Sequence, residues 1–322
     1  MSNLDRTPTL VSCGGRAGVP GEPVTELLAG RVVPLGGSTE VRRLLPTLGR
    51  RMVGAWCFID HYGPDDIERE PGMQVPPHPH MGLQTVSWLR GGEVLHRDSL
   101  GSVATLRPGM LGLMTSGRAI SHAEQSPREH GRYLHGAQLW VALPDGDRNI
   151  APSWEFHPEL PVVTGPGGLR GTVFMGEVDG TASPGTAYSP LVGMDLTLPA
   201  GTRAELPVEP DFEYAVVALS GAPEVAGVRV EPGSLLYLGT GRSGLALRAD
   251  DAADLLLLGG EPFEEEIVMW WNFVARTGEE ISQARKAWME SDRFGVVSGY
   301  DGDPVPAPVL PDLPLKPRGR VR

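Results

Sequence analysis

From Arg31 onward the sequence is cut into short apolar runs, each closed by glycine, proline or aspartate. Ala55–Ile59, Gln84–Leu89, Glu93–His96, Met110–Met114 and Ala137–Leu143 form one set. After the Pro/Gly-rich stretch Leu160–Gly168 a second set follows, with Gly193–Leu198, Tyr214–Leu219, Ser234–Leu238 and Leu255–Leu258. Turn signals about every 8–12 residues belong to antiparallel sandwiches and barrels, not to alternating β and α units. Forty-three glycines and 31 prolines among 322 residues, against an average of about 12% for the two together, rule down an all-helical bundle.

The two sets are faint copies of each other. Leu89-Arg90-Gly91-Gly92-Glu93 leads to Arg107-Pro108-Gly109-Met110, and Leu219-Ser220-Gly221-Ala222 leads to Glu231-Pro232-Gly233-Ser234. The Pro-Gly pairs are 124 positions apart, the length of one small β-barrel, which suggests duplication. The expected organisation is all-β, with a lead segment over 1–30, one barrel over 31–160 and a second over 161–275. A C-terminal helix over 276–295 and a proline-rich tail over 296–322 complete it. The helix is announced by the capping box Thr277-Gly278-Glu279-Glu280. Ile281, Ala284 and Trp288 then recur at helical spacing, and Gly295 is the expected stop. The aromatic run Val268–Phe273 reads as core rather than as a ligand box. The tail from Asp301 is expected to be extended, wrapping the surface or lacking order.

Net charge of −12 gives the whole chain no means of gripping phosphate backbones by charge, so direct nucleic-acid binding is not expected. Met1–Leu10 has no apolar signal-peptide core, and no run of membrane-spanning length follows, so the expectation is a soluble cytoplasmic protein without a membrane partner. Two cysteines, Cys13 and Cys57, cannot form a disulfide framework or a Cys-based zinc site; Cys57, inside Ala55–Ile59, reads as a buried thiol.

All eight histidines lie at or before residue 157, so any imidazole site belongs to the first barrel. Two pairs stand out, His78-Pro79-His80 and His122-Ala123-Glu124. Residues i and i+2 of a strand project from one face, so each pair aims two ligand groups the same way. Adjacent strands about 4.8 Å apart bring two such pairs to one ion. Three neutral imidazoles and one carboxylate suit a divalent first-row metal, Fe(II) among them, with Ni, Cu, Mn and Zn equally admitted by the donor set. Four protein ligands on an octahedral ion leave two positions for water, oxygen or substrate. The remaining candidates read more blandly. His96 and Asp98 share a strand face but sit in a polar hairpin expected in solvent, and Asp60-His61-Tyr62 reads as a turn with local hydrogen bonds. His130, His135 and His157 read as surface groups or outer neighbours of a site. No Gly-x-Ser-x-Gly elbow, Walker A loop or dinucleotide-binding glycine pattern occurs.

At this point the chain resembles the pirin family, bicupins of the cupin superfamily. The blocks that carry the likeness are Phe58–Pro64, Pro77–Val86, His96–Gly101, Pro108-Gly109, Met114–Arg118, Ser121–Glu124 and Gly136–Trp140. The resemblance implies two tandem cupin (double-stranded β-helix) barrels. One metal, usually iron, would lie in the first, on positions matching His78, His80, His122 and Glu124, and the histidine-free second barrel would be structural. The general cupin pattern expects a glutamate where this chain has Gln84, so Gln84 is expected in the pocket wall.

Some pirins are described as quercetin 2,3-dioxygenases. That implies a flavonol and O2 as small-molecule substrates, Fe(II) as cofactor and Glu124 as catalytic base. Others act as coregulators or protein partners, which implies a non-enzymatic, redox-responsive protein with a bound iron. A purely structural metal is the third reading.

Overall fold

The fold is described from a computed structural model for residues 23–36, 39–47 and 49–320. The readings placed on residues 1–22, including Cys13, lie outside the described residues. The first half contains β1 (Thr25–Ala29), β2 (Arg31–Gly36), β3 (Thr39–Leu45), β4 (Trp56–Asp66), β5 (Gln74–His80) and β6 (Leu83–Gly91). β7 (Val94–Asp98), β8 (Val103–Leu106), β9 (Leu111–Thr115), β10 (Ile120–Gln125), β11 (Tyr133–Ala142) and β12 (Ser153–His157) complete it. A broad antiparallel sheet runs β12-β9-β6-β11-β4-β3-β2, and a narrow one runs β5-β10-β7-β8. The second half repeats the plan with an eight-stranded and a four-stranded sheet, and β1 pairs with its strand Ser234–Leu238. The all-β expectation and the tandem-barrel plan hold.

Strand alternation decides which side chains meet. On β6, Val86 and Trp88 turn outward into a core shared by both barrels, which also contains Trp56, Phe174, Leu256 and Leu258. Ser87, between them, turns into the first barrel and bonds Glu124. Trp88 stacks on Phe174 at 4.7 Å, and Trp56 meets the same ring edge-on at 6.3 Å. Polar groups reinforce this seam. The Trp56 indole donates to the carbonyls of Val192 and Gly259, Trp88 donates to Asp195, and Arg90 pairs with Asp195 and Asp254. The interior of the second barrel is filled by Val173, Met194, Leu196, Val216, Leu236 and Leu257, an apolar packing.

The helix spans Gly278–Glu290, with Thr277 and Glu280 closing the expected capping box. It stops earlier than the sequence reading had it. Ser291 is the C-cap, its amide and hydroxyl both donating to the Ala287 carbonyl, whereas Gly295 lies beyond in a turn with φ of 70°. Trp270, Trp271 and Phe273 pack as core with Ile281 and Phe294. The tail wraps the molecule: the Val305 amide donates to the Pro77 carbonyl, the Trp288 indole to the Val305 carbonyl, and Arg318 bridges to Ile267.

Candidate metal centre

β5 and β10 lie side by side in the narrow sheet, with His78 opposite His122 and His80 opposite Ile120. A register shift follows between His122 and Glu124. The i, i+2 rule therefore places His78, His80 and His122 together on the inner face, fully buried. Their ring centroids are 4.3, 5.0 and 5.0 Å apart. Each ring is held through Nδ1: His78 by the Pro76 carbonyl at 2.8 Å, His80 by the Asn272 carbonyl at 3.0 Å, and His122 by His96 Nδ1 at 3.5 Å. All three Nε2 atoms are buried without a hydrogen-bond partner. Orphaned polar atoms in a protein interior cost free energy. Three converging on one point have the arrangement of a ligand set for a cation, and the carbonyls that accept from Nδ1 of His78 and His80 fix the tautomer that leaves Nε2 of those two rings its lone pair. Burial pushes the His78 pKa down to about 3 and those of His80 and His122 well below the ordinary imidazole value, so the rings stay neutral.

The three imidazoles offer ligand atoms within 4.8 Å of one another, and His96, His122 and Glu124 form a second, overlapping group at the same spacing. Glu124 thus shares His122 with the trio and leans toward His96. The Ser87 hydroxyl reaches Glu124 Oε1 at 2.5 Å and Gln138 Oε1 at 3.0 Å. One hydroxyl proton cannot serve both acceptors. With the Gln138 amide turned over, its NH2, otherwise unpaired, donates to Ser87, and Ser87 donates to Glu124. The apolar wall is Trp140, edge-on to His80 at 5.1 Å and stacked on Phe58 at 4.0 Å. Arg43 lies over Phe58 and grips Asp60 through two 2.8 Å hydrogen bonds.

Three expectations are corrected here. Gln84 shares the outward face of Val86 and Trp88, and its amide donates to Thr115 Oγ1 and the Thr186 carbonyl, so it does not line the cavity where the three histidines meet. His96 and Asp98 are buried rather than solvated, because Trp154 stacks flat on the His96 ring at 3.7 Å. Asp60, His61 and Tyr62 lie inside β4 and are buried, not in a turn; His61 Nε2 meets His135 Nε2 at 3.0 Å, away from the ligand cluster. His130 is at the surface, and His157 pairs with Glu155. Sequence reading also missed Asn272, which acts through its carbonyl and so leaves no side-chain signal. It sits in the tight turn after Trp271, a non-glycine residue at φ of 53°, a conformation sustained by the aromatic packing around it.

Family models for pirin match residues 38–141, and for the pirin C-terminal cupin domain residues 193–295. The chain belongs to the pirin family. A Pseudomonas aeruginosa pirin relative, provisionally named as a quercetin 2,3-dioxygenase, is 46% identical over 291 residues, covering 90% of this chain and 92% of its own. A pirin-like protein of Caulobacter vibrioides is 37% identical, covering 84% of this chain and 95% of its own. The crystal structure of a quercetin 2,3-dioxygenase from Acinetobacter baumannii is similar at TM-score 0.87 and 42% identity, with 91% of this pirin chain and 97% of that chain covered. Among the described residues, no helix is long and apolar enough to cross a membrane.

Proposed function

We propose that this pirin is a metal-dependent cupin dioxygenase, holding Fe(II) or another divalent first-row ion on His78, His80 and His122, with Glu124 beside it. The proposed substrates are O2 and a small enol or phenol of the flavonol type, and the proposed location is the cytoplasm. The observation that carries the reading is the trio of buried, unpartnered Nε2 atoms converging from β5 and β10. The relatives named for quercetin dioxygenase activity support the substrate class. When bound, the metal would supply positive charge that favours an oxyanion at neutral pH and open coordination positions for oxygen chemistry.

The chain's own residues supply the rest. The Glu124 carboxylate is the base that takes the proton of the substrate hydroxyl, at an oxygen oriented by Ser87. Trp140, edge-on to His80 and backed by the stacked Phe58 ring, gives the site an apolar wall that keeps water from the reacting end. Anaerobically iron-loaded protein, mixed with quercetin and then oxygen, is expected to consume both and release carbon monoxide. Loaded protein that turns over no flavonol refutes the substrate assignment, and protein that takes up no metal refutes the reading as a whole. If the iron instead serves a redox-responsive interaction, a partner is retained in one oxidation state only and no oxygen is consumed.

A further inference from the structure

His122 differs from the other two imidazoles in what holds it. His78 and His80 donate Nδ1–H to backbone carbonyls, which can only accept. His122 Nδ1 faces another imidazole, which can accept or donate, so its tautomer depends on His96. Behind His96 stands Asp98, opposite His122 in the β7–β10 register. Asp98 Oδ1 accepts from the amides of Leu100 and Ser102, both at 2.9 Å, and Oδ2 faces His96 Nε2 at 3.2 Å. The two amides fix which oxygen points where, and Trp154, parallel to the His96 ring within 6°, fixes the ring plane.

We infer that Asp98 and His96 are positioning residues that set His122 in the only tautomer able to bind a metal through Nε2. A carboxylate accepts and never donates, so the proton between Asp98 and His96 sits on His96 Nε2. In the neutral ring His96 Nδ1 is then an acceptor, so His122 carries its proton on Nδ1, and His122 Nε2 is left with a lone pair on the side of His78 and His80. The relay runs from two backbone amides through Asp98 and His96 to His122. It rests on His122 being a ligand, and it makes a statement about His122 that holds with or without metal.

The substitution Asp98→Asn separates this relay from packing. The new side chain has almost the same shape. Because the Leu100 and Ser102 amides require an acceptor, its carbonyl must face them and its NH2 must face His96 Nε2. That turns His96 Nε2 into an acceptor and Nδ1 into a donor, and it forces the proton of His122 onto Nε2. Asp98→Ala removes the carboxylate without imposing the wrong tautomer.

The test measures metal-free protein by nitrogen-15 NMR of the histidine side chains, and ferrous and zinc affinity by competition with a chelator. His122 is expected as the Nδ1–H tautomer in the wild type and the Nε2–H tautomer in D98N. Affinity is expected to fall about ten- to a hundredfold in D98N, and further than in D98A. A purely structural role makes the isosteric D98N the milder change, so D98N binding within twofold of wild type, or tighter than D98A, overturns the inference. An unchanged His122 tautomer in D98N overturns it as well. If wild type binds no metal, the metal reading fails while the tautomer measurement still decides the relay. Should D98N not fold, His96→Asn, whose Oδ1 can accept from His122 Nδ1, is expected to bind metal at least tenfold more tightly than His96→Leu; equal affinities contradict the proposal.

Discussion

Glu213 ties the two barrels to each other and to the tail, and its removal tests that seam quantitatively. The carboxylate is fully buried in the second barrel and accepts from the Gly54 amide of the first barrel, from the Tyr237 hydroxyl and from Arg320, each at 2.7 Å. Glu213→Ala leaves the Gly54 amide and the Tyr237 hydroxyl as buried donors without an acceptor, each costing about 1–3 kcal/mol. Arg320 is partly exposed and also reaches Glu264, so its loss adds little. The expected destabilisation is about 3–5 kcal/mol, the range for losing one partner of a buried pair. Glu213→Gln keeps an acceptor for Gly54 and is expected to cost less, about 1.5–3 kcal/mol. At roughly 2 °C per kcal/mol for a chain of this size, E213A should lower Tm by about 6–10 °C. Urea unfolding and calorimetry check both figures, with metal affinity unchanged because Glu213 lies outside the first barrel. An E213A loss below about 1 kcal/mol, or E213Q as damaging as E213A, refutes the account of the seam.

Saturating the metal site at a hundred times Kd is expected to stabilise the wild type by about 2.7 kcal/mol in thermal unfolding, and this gain should vanish in His122→Ala, whose apo form still folds. Ser87→Ala, which removes the hydroxyl donating to Glu124, should weaken metal affinity about tenfold while leaving the apo Tm within a few degrees, as read by chelator competition and calorimetry. Burial, followed by the positive charge of His135 and Arg42, lowers the His61 pKa to about 3. Between pH 6.5 and 3 the unfolded chain therefore binds a proton that the folded chain refuses, so stability is full above about 6.5 and falls as pH drops. The slope is about 1.4 kcal/mol per pH unit from this group, and urea titrations of His61→Gln should be shallower by that amount; parallel curves contradict it.

The fold was legible because short apolar runs between Gly, Pro and Asp permit few alternatives, and the strands at Tyr214–Leu219 and Ser234–Leu238 fall where those runs lie. The histidine trio was legible for the same reason that a strand has two faces: His-x-His and His-x-Glu each name one face. That logic applied equally to His96-Arg97-Asp98, which was read as solvated because its neighbours are polar. What buries it is Trp154, some 58 positions later, a contact that local patterning does not encode. Gln84 was misplaced because family spacing, not strand parity, suggested its role; parity with Val86 and Trp88 puts it on the other face. The carbonyls of Pro76 and Asn272, and the Val305 amide on Pro77, carry no side-chain signature at all. The second half of the chain, without a histidine of its own, supports β5 through its backbone.

The most direct measurement is an anomalous-scattering map from crystals of this protein loaded with ferrous iron under anaerobic conditions. The account predicts one peak per chain inside the first barrel, bonded to Nε2 of His78, His80 and His122. A barrel with no peak there, or with the metal bound elsewhere while these three rings stand apart, would contradict it.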